Sequence, residues 1–299
     1  MKLVLPASGI QRRCSAMISD NPPATKQVKL SGLSLPLSIM LRSYNKRWAS
    51  PWVKQHVFTG KTPAGCFINA DDNLFISSPE FCFLQMANQL TFARLIELGY
   101  ELCGTYSMPD ARDLNVPERG FYLRPPLTST KKLVAFMSRM QGVKGHRKAM
   151  RALHYLIDGS ASPMETKISI ILTLPYRLGG FGLTRPELNS RVVPGKTAKL
   201  SSGKTSYVCD LFWQDHDLAV EYDSAFFHEG RVQIDDDSKK RNALAAMGVM
   251  VITVTKQQLY SRAEFEKVAR VIAKYLGKRL VFKNPGFAEV HGELRKQLL

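Results

Sequence analysis

The chain has 299 residues, 44% apolar and 22% charged, which is enough for one large core or two ordinary ones and too little charge for a disordered protein. Its 42 lysines and arginines against 25 acidic residues give a net charge of +17, so a polyanion, nucleic acid above all, is the expected partner. No run approaches the roughly 18 apolar residues of a membrane span, and MKLVLPASGIQRRC is too short in its apolar part for a secretory signal; a cytoplasmic protein without membrane contact is expected.

Residues 1–30 are polar and mixed, with NPPATKQ reading as a loop or arm. From LPLSIMLRS to DNLFISSPE, short β-like runs alternate with turn signals such as TGKTPAG and NADDN. Ser78-Pro79-Glu80 then opens a helical run in which Phe83, Met86, Leu90, Leu95 and Leu98 approximate the 3.6 period. These segments predict a small mixed α+β domain over residues 1–125. A helical connector over 126–159 follows, with Arg147, Lys148 and Arg151 opposite Met150, Leu153 and Ile157. Five cysteines, Cys14, Cys66, Cys82, Cys103 and Cys209, are widely spaced and form no C-x-x-C pair, which argues against a disulfide framework and a four-ligand zinc site.

Residues 160–299 form the second predicted domain. SPMETKISIILTL starts with Ser162 as N-cap, Pro163 at the first helical position and Glu165 three residues on, a capping-box pattern that gives Glu165 a structural role. After a glycine-rich turn and a basic loop come two strands, 206–213 and 218–223. If Trp213 faces Leu218 across the turn, Asp210 stands opposite Glu221, and the period of two puts Asp223 on the same face as Glu221. Carboxylates inside apolar strands need a cation, a proton or water between them. A helix is predicted over 236–247. VMVITV then reads as a strand covered on both faces, and a helix over 261–277 starts with a second capping box, Ser261 and Glu264.

The run CDLFW…LAVEYDSAFFH…DSKKRNALAAMGVMVITVT resembles the Vsr-like endonuclease domain of very short patch repair, a branch of the PD-(D/E)xK superfamily, as found in actinobacterial proteins related to abortive-infection antitoxins. The matching elements are Asp210 with its apolar neighbours, Glu221 to Asp223, His228, Asp237 with Lys240 and Leu244, Gly248 before the strand, and Glu165 on the preceding helix. The resemblance implies an α/β, restriction-endonuclease-like core, a mixed sheet flanked by helices, of which one strand is not legible. It further implies a Mg²⁺- or Mn²⁺-dependent DNA endonuclease or nickase serving repair or defence. Asp210, Glu221 and Asp223 would be metal ligands, with Glu165, His228 and Lys240 joining them as catalytic groups. Phe226, Phe227, Lys239 and Arg241 would contact DNA.

Three departures stand out. Ser224 replaces the usual glycine, Asp223 occupies the place of the E-x-K lysine, and no cysteine cluster provides the repair enzymes' zinc site. Lys240 can supply the missing ammonium from the next helix, although Lys239, Lys240 and Arg241 also fit a solvated helix face. The missing lysine leaves an alternative: a non-catalytic nucleic-acid-binding regulator on a degenerate nuclease core.

Overall fold

The computed structural model describes residues 37–71, 74–109, 113, 115–193, 206–223, 231–282 and 285–299, with the backbone alone at 37, 71, 74 and 231–237. The chain divides between Leu156 and Ile157 into two compact units. The architecture is mixed α/β, with one four-stranded and three two-stranded sheets among the described residues.

In the first unit, strands β1 (Leu37–Leu41) and β2 (Val53–Val57) pair in parallel, whereas β3 (Phe67–Asp71) and β4 (Leu74–Ser77) form an antiparallel hairpin. Helix α1 (Pro79–Met86) starts where the Ser78 hydroxyl accepts the Phe81 N–H at 3.2 Å, with Pro79 at a position that needs no donor. The single helical run expected after Ser78 is two helices. Thr91 caps the second, α2 (Phe92–Cys103), by accepting the Arg94 N–H at 3.3 Å. After the short pair β5 (Tyr106–Ser107) and β6 (Tyr122–Leu123), helices α3 (Thr130–Met137) and α4 (His146–Leu153) pack on α1 and α2 around the buried Phe81, Phe83, Leu95, Tyr100 and Phe136. On α4 the buried side is Ala149, Ala152 and Leu153, while Met150 is only half-buried.

The second unit opens with α5 (Pro163–Thr173), which buries residues from Pro163 to Leu172 on almost every side. Its chain order continues with β7 (Glu187–Val192), β8 (Tyr207–Trp213), β9 (Leu218–Asp223), α6 (Arg231–Ala246), β10 (Met250–Thr255), α7 (Lys256–Tyr260), α8 (Arg262–Tyr275) and α9 (Phe287–Leu298). The sheet order is β10-β9-β8-β7, with β10 parallel to β9 and the other neighbours antiparallel. Trp213 does face Leu218, and Leu211 faces Val220. Tyr207, Cys209, Phe212, Ala219, Ala243, Leu244 and Val249 form one apolar cluster that seats α6 on the sheet.

Several sequence expectations are corrected here. The helix expected over 236–247 begins earlier, at Arg231. Strand β10 lies at the sheet edge, with Met250 42% exposed and only Val254 fully buried, so its apolar composition does not reflect cover on both faces. Ser261 caps α8 through the Glu264 N–H, but Glu264 turns its carboxylate to Lys267 at 2.7 Å and leaves the box open. The reciprocal box sits one short helix earlier: Thr255 and Gln258 exchange backbone and side-chain bonds at 3.2 and 3.0 Å. Among the described residues no helix is long and apolar enough to cross a membrane.

Candidate active site in the second unit

Strands β8 and β9 are buried next to their turn, at Leu211–Trp213 and Leu218–Val220; beyond that β9 is only half-buried, and in β8 the face of Val208 and Asp210 opens while Tyr207 and Cys209 stay buried. Asp210 and Glu221 sit at that transition, one residue beyond the Leu211–Val220 pair. The Tyr222 N–H donates to Asp210 Oδ2 at 2.8 Å, which fixes the carboxylate across the hairpin. From α6, Lys240 Nζ donates to Glu221 Oε2 at 2.6 Å. The other oxygen of Glu221, Oε1, is buried and meets no hydrogen-bond partner of ordinary geometry among the described residues, although the Cys209 thiol also acts on this carboxylate as a weak donor. An acceptor left in that state costs about 1–3 kcal/mol unless a proton, water or cation meets it.

Glu165 reaches the same place from the first turn of α5. The Ser162 hydroxyl accepts the Glu165 N–H at 3.2 Å, as the sequence suggests, but the carboxylate does not return to the N-cap. Its Oε2 accepts from the Ala161 N–H at 2.9 Å and from Asn189 Nδ2 at 2.6 Å. Asn189 also donates to the Gly159 carbonyl at 3.0 Å, and it holds a left-handed backbone conformation, φ 50°. Asparagine tolerates that region better than most residues, so β7 turns an amide toward the α5 terminus at small backbone cost. Sequence reasoning missed Asn189. Its segment, ELNSRV, lacks the alternation of a strand, and an asparagine in such a stretch carries no signal of its contact.

The electrostatics tie these groups together. Burial, then the Asp210 charge, pushes Glu165 up to about 7, against the bonds from Ala161, Asn189 and Ser162. Burial, then Asp210 again, pushes Glu221 up to about 7, although Lys240 pulls the other way. Asp210 is itself raised by burial, partly offset by the Tyr222 N–H and Lys240. Burial draws the Lys240 ammonium down, but Glu221 and Asp210 outweigh it and hold it above its ordinary value. Beside them, burial and then Glu221 push the Cys209 thiol up to about 12, which leaves it a protonated, unreactive core thiol.

Glu165, Asp210, Glu221 and Lys240 are therefore brought together. Asp223 is half-buried two residues beyond Glu221, and among the described interactions it acts on Tyr222, whose phenol is raised by burial, Tyr260 and Asp223. Lys239 and Arg241 are exposed on either side of Lys240. Phe226, Phe227 and His228 lie outside the described residues. No group of three His, Cys, Asp or Glu residues among the described ones is arranged to hold an ion by itself. Mg²⁺ seldom uses such a cage; one or two carboxylates suffice when waters and a substrate phosphate complete the octahedron. Asp210 with Glu221 Oε1 fits that donor set of hard oxygens. No family model, curated protein or solved structure matches this chain.

Proposed function

We propose that the second unit is a metal-dependent DNA endonuclease or nickase on a PD-(D/E)xK-like core, acting in repair or in defence against foreign DNA. The observation that carries this reading is the Lys240 ammonium, which reaches Glu221 from α6 and is held above its ordinary value by Glu221 and Asp210, and it supports a helix-borne substitute for the lysine that the strand lacks. The element order α5-β7-β8-β9-α6-β10 supports it, because β7 supplies the strand absent from the sequence-level pattern.

Asp210 and Glu221, with Asp223 beside them, would hold Mg²⁺ or Mn²⁺, which when bound supplies positive charge to the non-bridging phosphate oxygens and acidifies a water. Lys240 adds a second positive group that can shift from Glu221 to the scissile phosphate. Asp210, oriented by the Tyr222 N–H at Oδ2, would present Oδ1 to the ion. Glu165 holds two donors at Oε2, so a proton taken from the attacking water goes to Oε1, and a pKa near 7 suits that exchange at neutral pH. Exposed Lys239 and Arg241, on either side of Lys240, fit phosphate contacts. His228 is the alternative base for that water, and Phe226 and Phe227 at the bases complete the proposal.

The test is conversion of supercoiled plasmid to nicked or linear product by the full chain with Mg²⁺ or Mn²⁺ and its loss with chelator. Tight DNA binding without cleavage under either ion would instead select the non-catalytic regulator.

A further inference from the structure

We propose that the first unit carries a separate site for a nucleoside phosphate, in a cavity of about 710 Å³ between β1–β2, the end of α1 and the loop joining α3 to α4. That volume lies within the range of small-molecule pockets. Among the described residues Arg47, Lys61 and Lys144 line it and no carboxylate does, so the wall presents three exposed positive charges. Such a wall favours an anion. His56, in the same lining, has its pKa lowered by burial first and then by Lys54 and Arg47.

The rest of the lining carries no further formal charge and includes planar amide and aromatic groups, which suit a nucleoside phosphate better than a bare anion. Gln89 and Gln141 contribute amides able to donate and accept at a base edge, and Tyr44, 66% exposed, offers a ring face at the mouth. The frame is already built. Asn88 Nδ2 donates to the Lys144 carbonyl at 3.1 Å, which ties the α3–α4 loop to the end of α1. Arg42 bonds the Gly60 carbonyl at 3.1 Å and the Thr62 hydroxyl, thereby bracing the loop that carries Lys61. A Cβ at Gly60 would lie 2.9 Å from the tip of the half-buried Phe58 ring, which would then have to shift. A fixed cavity of this kind spends little ordering entropy on binding.

The inference is independent of the nuclease reading, since its residues all belong to the first unit. It is tested by calorimetric titration of the full chain with ATP, GTP, CTP and UTP, with tripolyphosphate and adenosine as comparators. A 5′-phosphorylated oligonucleotide and its 5′-hydroxyl counterpart separate a free nucleotide from a strand end. Saturable 1:1 binding of at least one nucleoside phosphate, tighter than tripolyphosphate, is expected. Lys61→Gln and Lys144→Gln should each weaken it about tenfold or more, as loss of a charge-assisted contact implies, while Lys267→Gln in the other unit leaves it unchanged. Hydrogen exchange of the wild type should slow at residues 59–62 and 141–145 when the ligand is added, a readout that needs no variant. Absence of saturable binding, equal affinity for tripolyphosphate, or wild-type affinity in both lysine variants would overturn the proposal.

Discussion

At the residue scale, the site is a crowd of carboxyls with one ammonium, and its protonation sets its stability. Glu165 and Glu221 have folded-state values near 7 against an ordinary 4.5. Below the ordinary value both states carry the protons and no penalty exists. As pH rises toward 7 the unfolded chain releases protons that the folded chain retains, so folding stability falls through that window and the loss is complete above it. Asp210→Asn removes the like charge acting on both, and asparagine can still accept the Tyr222 N–H. The thermal midpoint of metal-free Asp210→Asn should therefore fall less between pH 5 and pH 8 than that of the wild type; parallel curves would dissociate Asp210 from the two glutamates. Lys240→Met is expected to act in the opposite direction. It strands a half-buried Glu221 carboxylate and should cost about 1–3 kcal/mol at pH 8, less at pH 5 where the carboxyl holds a proton. Denaturant melts at the two pH values measure this, and an equal cost at both would mean that Lys240 contributes packing alone.

At the element scale, the hairpin was legible because the turn QDHD and the flanking Trp213 and Leu218 leave one register that keeps the apolar residues covered. Carried one residue beyond Leu211 and Val220, that register sets Asp210 against Glu221. The start of α5 was legible for a similar reason: serine, proline and glutamate each satisfy a local backbone demand. What local rules could not give was the destination of side chains that reach across the chain. Glu165 satisfied a capping pattern yet bonds Ala161 and Asn189, because its carboxylate is buried against β7 rather than turned toward the N-cap. The pattern MVITVT is the same for a central strand and for the edge strand it forms, since sheet order is a non-local property. The turn after α5 shows another such constraint: a Cβ on Gly180 would sit 2.1 Å from the Leu174 carbonyl oxygen. Gly180→Ala should destabilise the second unit by about 1–3 kcal/mol or more through that backbone clash, whereas Gly277→Ala, with no atom within 4 Å, costs only the strain of its φ of 67°. Comparable midpoints for the two variants would show that the turn gives way easily.

At the scale of the whole molecule, two compact units and a net charge of +17 frame the function. If lysines and arginines neutralise phosphates, metal-free binding to DNA should weaken steeply with salt and depend little on sequence, with a log–log slope that counts the contacts. Binding indifferent to salt would exclude that origin. The nuclease reading itself stands on Asp210, because every other charge of the site is arranged around it. The full chain and Asp210→Asn should be compared on supercoiled and linear DNA with Mg²⁺, with Mn²⁺ and with chelator, after checking that both unfold cooperatively. Cleavage by the wild type with either ion, abolished by chelator and by Asp210→Asn, is the expected outcome; cleavage by Asp210→Asn at the wild-type rate, or none by the wild type under any ion, would overturn the assignment.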